Sequence, residues 1–308
     1  MSKLLFLFLL SVLTLATTAQ DLRSFDSFQD RGTEYFSKGK YDLAIANFSR
    51  AIDVSSRIGK PHESTSIFAD GSASFDTSDI RAIDPRTADA YVNRGNVYLF
   101  KGELDRAVID FTSALTIRPT LTSAYYCRGT ARLAQKQFDL ALADFDRIIK
   151  LEPKNWSGYV GRGVVRFNMG DGKLALADLE YAKTLAPKSA VVAYQLGEIR
   201  RELGDLDGAM SQFELAIKQD SKIAQGYLGR GLIHLQRREM EDAIADISKA
   251  ITLDARLPHA FANRGIAYSV TGSNELAEKD FAAAAALDPT IRKEIDELLS
   301  TLKGMDRR

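Results

Sequence analysis

Residue types that carry chemistry are scarce in this chain. Of its 308 residues one is cysteine, Cys127, which excludes an intrachain disulfide. Three are histidine, namely His62, His234 and His259, and none stands in metal-ligand spacing to the cysteine or to another histidine. No glycine loop suited to cradle a phosphate is present, and no nucleophile elbow. Net charge is missing too: 41 Lys and Arg balance 41 Asp and Glu. No overall field draws nucleic acid or an anionic membrane to it. Catalytic residues, cofactors and metal ligands are therefore not expected, and neither is a nucleic-acid partner. Cys127 has no histidine near it in sequence, and a buried, inert thiol is the expectation.

The N-terminus has its own composition. Lys3 precedes the apolar stretch Leu4 to Ala16, and Thr17 and Ala19 then offer a small-residue cleavage site before Gln20. This is the layout of a secretory signal over residues 1–19. The apolar stretch is short of the ~20 residues that span a bilayer. The expectation is a chain exported to the periplasm or the cell exterior, with no stable membrane insertion after signal cleavage.

Glycine is plentiful, and its spacing is regular. Gly95, Gly129, Gly163, Gly197, Gly231 and Gly265 stand 34 residues apart. Twelve residues after each is alanine (Ala107, Ala141, Ala175, Ala209, Ala243, Ala277), and sixteen after each a large apolar residue (Phe111, Phe145, Leu179, Phe213, Ile247, Phe281). Four before most of them is an aromatic: Tyr91, Tyr125, Tyr159, Tyr227 and Phe261. An earlier copy fits with Phe28, Gly32, Tyr35, Ala44 and Phe48. Pro119, Pro153, Pro187 and Pro289 close several copies. Each unit reads as two amphipathic helices parted by a turn near Gly102, Gly170, Gly204 or Gly272. An interior glycine costs a helix ~1 kcal/mol relative to alanine, so its recurrence needs a packing reason. Close approach of the paired helices supplies one. A single pair cannot bury its apolar face, and the copies must stack.

The set of spaced aromatic, Gly, Ala, Phe or Leu, and Pro resembles the tetratricopeptide repeat (TPR) family over about Phe25 to Pro289. Repeat five departs from it with Ala193 at the aromatic position, and repeats five and six end on Ser221 and Ala255 in place of proline. The resemblance implies an all-α, right-handed α-solenoid of seven TPR helix pairs. The stripe Ile291, Ile295, Leu298, Leu299 and Leu302 adds a C-terminal capping helix within residues 290–308. Repeat 1 then occupies 20–54 and repeats 2–7 occupy 88–289. Between them 55–87 is a Ser- and Asp-rich insertion, expected to be a flexible excursion.

Arginine precedes the glycine in six copies, as Arg31, Arg94, Arg128, Arg162, Arg230 and Arg264. Sixteen residues later stand Asp110, Asp144, Asp178, Asp246 and Asp280; repeat one has Asn47 there. Repeat five lacks both charges, with Leu196 and Gln212. Charge that appears and disappears together within a unit predicts ion pairs within the unit, because a partly buried charge needs a partner. A second set, Arg132, Arg166 and Arg200, predicts pairs with Asp146, Glu180 and Glu214, fourteen residues after each arginine.

What remains for function is a binding surface. The TPR resemblance implies that first-helix residues opposite the glycine line a concave groove holding an extended peptide or a partner helix. The candidates are Asn93, Asn96, Phe100, Tyr126, Thr130, Val160, Val164, Phe167, Asn168 and Tyr194. No lysine occupies these positions, so a clamp for a partner's C-terminal carboxylate is not expected. The reading is a non-enzymatic scaffold that binds another protein. The alternative is a solenoid holding glycan or lipid in the same groove.

Overall fold

The computed structural model describes residues 23–58, 84–293 and 295–297. The signal, the centre of the insertion and the C-terminal leucines fall outside the described residues. Fifteen helices lie among them. Repeat one contributes α1 (23–37) and α2 (Tyr41–Ile58). The next two repeats contribute α3 (Arg86–Phe100), α4 (Leu104–Ile117), α5 (Thr122–Ala134) and α6 (Phe138–Leu151). Repeats four and five contribute α7 (Trp156–Asn168), α8 (Gly172–Leu185), α9 (Ala190–Glu202) and α10 (Leu206–Gln219). Then come α11 (Ala224–Gln236), α12 (Met240–Leu253), α13 (Pro258–Val270) and α14 (Asn274–Leu287). Helical residues 291–293 and 295–297 make α15. The chain is all-α, as its period requires. Helix α2 runs to Ile58, four residues past the expected end of repeat one.

The described residues form two compact units, and the division falls inside α7, between Gly161 and Arg162. In the first unit Ala88, Ala114 and Ala124 bury themselves between repeats two and three, with Tyr91, Leu121 and Tyr125 against them. In the second, Ala262, Phe281 and Ala284 enclose Ile291 and Ile295 of α15. That is the expected capping contact, and it covers an apolar face that the last repeat would otherwise expose.

The recurrent glycine has a more specific partner than the crossing of two axes. A Cβ at Gly95 would lie 2.7 Å from Cε1 of Phe111, and one at Gly265 would lie 2.5 Å from Cε1 of Phe281. Gly163 would meet Leu179 Cδ1 at 2.3 Å and the Ala175 carbonyl oxygen at 3.1 Å. The glycine is thus the seat of the large residue sixteen positions later, which is 1% exposed or less at Phe111, Phe145, Leu179, Phe213, Ile247 and Phe281. The alanine of the second helix lets the backbones close enough to seat it.

The turns explain the other glycines. Gly39, Gly102, Gly170, Gly204 and Gly272 hold φ between 70° and 92°, whereas repeats three and six place Lys136 and Arg238 there at 59° and 60°. A side chain in this left-handed conformation costs roughly 1–2 kcal/mol, and glycine's extra chain freedom costs roughly 0.5–1 kcal/mol when ordered. Lys136→Gly should therefore raise stability by up to about 1 kcal/mol, read as a higher urea midpoint. A lowered midpoint would show that Lys136 contributes through contacts, not conformation.

Candidate functional site

Five arginines meet the aspartate of their own repeat through two parallel hydrogen bonds. Arg94 donates from Nε to Asp110 Oδ2 and from Nη2 to Oδ1, both at 2.8 Å. Arg162 reaches Asp178 at 3.0 and 2.7 Å, Arg230 reaches Asp246 at 2.6 and 2.8 Å, and Arg264 reaches Asp280 at 2.7 and 2.8 Å. Arg128 adds Asp144, with Nη2 to Oδ1 at 2.7 Å. The fork geometry matches a carboxylate better than any single-point donor. Hydrogen bonding to Asp110 holds the Arg94 guanidinium above its usual value. The recurrent aromatic lies beneath: Arg94 stands 5.5 Å from the Tyr91 ring centroid and Arg128 5.5 Å from that of Tyr125, within cation–π range. The Tyr125 hydroxyl donates to the Pro119 carbonyl of the preceding repeat at 3.2 Å.

A link between repeats escaped the sequence. Arg94 Nη1 donates to Ser49 at 2.8 Å, Arg128 Nη1 to Thr112 at 3.1 Å and Arg264 Nη1 to Ser248 at 3.0 Å. Each hydroxyl belongs to the preceding repeat, and each stands two residues after the aspartate position. The signal was visible in the spacing, where Ser49, Thr112 and Ser248 recur.

The second set of arginines corrects the prediction. Arg132 donates to Asp144 at 2.7 Å and Arg166 to Asp178 at 2.6 Å, so each buried aspartate receives two guanidinium groups. Arg200 crosses to Glu180 of the preceding repeat at 2.6 Å. Its own repeat offers Gln212 where an aspartate would stand, and Gln212 accepts from Lys183 at 3.1 Å. Glu180, seventeen past its glycine, faces the next repeat and not its own first helix. All these arginines are committed to acids of the scaffold.

The candidate contact residues divide between the two units. In the first, Phe100 is 53% exposed and Tyr126 37% exposed. Phe100 packs with Phe36 and Tyr41 at ring separations of 5.8 and 5.0 Å, and Tyr126 meets the edge of Phe145 at 5.7 Å. Asn93 donates to Gln29 at 3.2 Å; Asn96 and Thr130 are half-buried. Val160 is 3% exposed and serves packing. Asp89, the charged residue on this face, is held by Arg118 at 2.8 Å. In the second unit Asn168 is exposed and Val164 half-buried, while Phe167 packs against the core of Ala175, Leu179, Leu196 and Ile199. Tyr194 packs on the Phe213 ring, and burial pushes its hydroxyl up to about 12. Beside it Arg201 bridges Glu198 and Glu202 at 3.2 and 2.5 Å, and burial raises the Glu198 carboxyl. Cys127 lies against the Phe111 core, and burial pushes its thiol up to about 11, far from a reactive thiolate at neutral pH.

Two family models, each described as tetratricopeptide repeat, match this chain, one over residues 126–190 and 194–258 and the other over 25–57 and 88–121. Together they span more than half of it. The chain belongs to the tetratricopeptide repeat family. No curated protein matches it. Among solved structures, a TPR protein from Parabacteroides merdae superposes with a TM-score of 0.62 at 18% identity, covering 90% of this chain and 98% of that one. Yeast Tom70 superposes at 0.61 and 18% identity, over 92% of this chain and 65% of its own. A thermophilic TPR protein of Thermus thermophilus reaches 0.54 at 19%, over 58% and 98%. At such identities the likeness is one of fold. The TPR fold makes this chain a protein–protein interaction scaffold.

Proposed function

We propose that this TPR protein is exported and binds an extended peptide or a partner helix along the exposed faces of its first helices, without catalysing a reaction. The observation that carries the proposal is the face of repeats two and three. Phe100 and Tyr126 stand exposed there beside the amide of Asn96 and the hydroxyl of Thr130. The strong cations nearby are tied to Asp110 and Asp144 inside the stack. A rigid surface of aromatic and uncharged polar groups recognises an extended segment by apolar burial and amide hydrogen bonds. Export rests on the signal pattern of residues 1–19.

Peptide display against the chain lacking residues 1–19 tests the binding. The expected result is enrichment of segments with aliphatic or aromatic anchors at regular spacing. Enrichment of none, with ligands found on a glycan or lipid array, would overturn it. Fractionation of expressing cells should place the processed chain outside the cytoplasm; a full-length cytoplasmic product would sink the export reading.

A further inference from the structure

Repeat six differs from the others at two positions, His234 and Asp242, which meet Glu239 across its turn. Three residues after the glycine the other repeats carry Tyr35, Tyr98, Arg132, Arg166, Arg200 and Tyr268; repeat six has His234. At the start of the second helix it has Glu239. Three residues on, where repeats one, three, four and seven carry Leu43, Leu140, Leu174 and Leu276, it has Asp242. Among the described residues, one imidazole nitrogen and one carboxylate oxygen from each acid lie within 4.8 Å of one another in this cluster.

We propose that His234, Glu239 and Asp242 form a binding site for a first-row transition-metal dication such as Zn2+, pinning the turn between α11 and α12. Nδ1 of His234 lies 2.5 Å from Glu239 Oε2, so the ring already presents this nitrogen to the acids. Its other nitrogen, Nε2, faces Asp246 Oδ2 at 3.8 Å. That aspartate is buried and fixed by Arg230 from below. The ring is only 18% exposed, so packing holds it, while Glu239 and Asp242 are exposed and free to adjust their rotamers. Bonds of ~2.0–2.2 Å to nitrogen and carboxylate oxygen require only a modest convergence from the present separations. Arg237, the neighbouring cation, is occupied by Asp207. The two acids repel one another when bare, and a dication removes that repulsion. One imidazole with two carboxylates favours Zn2+, Co2+ or Mn2+ over Ca2+ or Mg2+, which take all-oxygen sets. Three protein ligands leave coordination positions for water or for a donor from a bound partner.

The test titrates the tag-free full chain with ZnCl2 by calorimetry and with CoCl2 by visible absorption. One equivalent of Zn2+ should bind, and Co2+ should develop d–d bands. His234→Ala and Asp242→Asn should each weaken binding about tenfold or more. His259→Ala, on another repeat, should bind as wild type. Asp242 is exposed, so its variant keeps the fold even if His234→Ala does not; circular dichroism checks both. Absence of stoichiometric Zn2+ binding overturns the site. So does Zn2+ affinity that His234→Ala and Asp242→Asn leave unchanged, or that His259→Ala abolishes.

Discussion

Asp144→Ala should remove about 3–5 kcal/mol of stability, the loss that follows when one partner of a buried ion pair is deleted. Asp144 is 2% exposed and accepts from Arg128 and Arg132 together. Alanine leaves two largely buried guanidinium groups beside each other with no carboxylate, Arg128 keeping only its bond to Thr112 and Arg132 only a long one to the Leu140 carbonyl. Asp110→Ala should cost less. Arg94 alone uses that carboxylate, and it retains its bond to Ser49. The order Asp144 and Asp178 above Asp110 and Asp280 is the discriminating result, read from urea midpoints. A triple replacement, Asp144→Leu with Arg128→Met and Arg132→Met, should recover most of the loss, since a buried ion cluster is often no more stable than apolar packing. If Asp144→Ala shifts the midpoint no more than a surface substitution does, the pairs contribute geometry without stability.

Most of the fold was legible because a repeat prints its own controls. Repeat five loses Arg and Asp at the same two positions, as Leu196 and Gln212, and both are buried there. That coincidence is enough to place the ion pairs within repeats. The same logic failed for Arg132, Arg166 and Arg200 for a physical reason. Co-occurrence with Asp146, Glu180 and Glu214 was real, but a charge can serve the next repeat as well as its own. Residues two apart on a helix point about 200° apart, so Asp178 faces its own first helix while Glu180 turns toward the following repeat. Spacing of sixteen against fourteen carried the answer, and only helix geometry decodes it.

The candidate site was less legible. Sequence period assigns a residue to a face, yet it does not say how much of that face the adjacent helix covers. Val160 and Phe167 occupy nominal contact positions and are consumed by packing. Phe100 sits at the last turn of α3, packs one side on Phe36 and Tyr41 of repeat one, and stays half open. The aromatic group of Phe36, Tyr41 and Phe100 draws on two helices of one repeat and one of the next. The period gave no sign of it, because these aromatics do not recur together at equivalent positions. The His234 cluster hid for the opposite reason, as two unremarkable departures, His234 and Asp242, whose meeting with Glu239 appears only when the turn is folded.

Binding of a peptide selected on this protein should fall about tenfold in Phe100→Ala, because covering the exposed part of that ring is worth roughly 1.5 kcal/mol. Asn96→Asp should weaken it at least as much. Asn96 is half-buried on the same face, and the substitution changes shape little while adding a charge that the partner would bury without a counterion. Neither residue belongs to the buried core, so helical content and the urea midpoint should remain near those of the parent chain. Raising salt from about 0.05 to 0.5 M should change the parent affinity less than threefold, since screening acts on exposed charge pairs and this face offers few. The comparison separates two mechanisms. A partner steered by charge would lose affinity in salt and tolerate Phe100→Ala. A partner seated on the aromatic face would do the reverse, and only that second pattern is compatible with the surface around Phe100 and Tyr126.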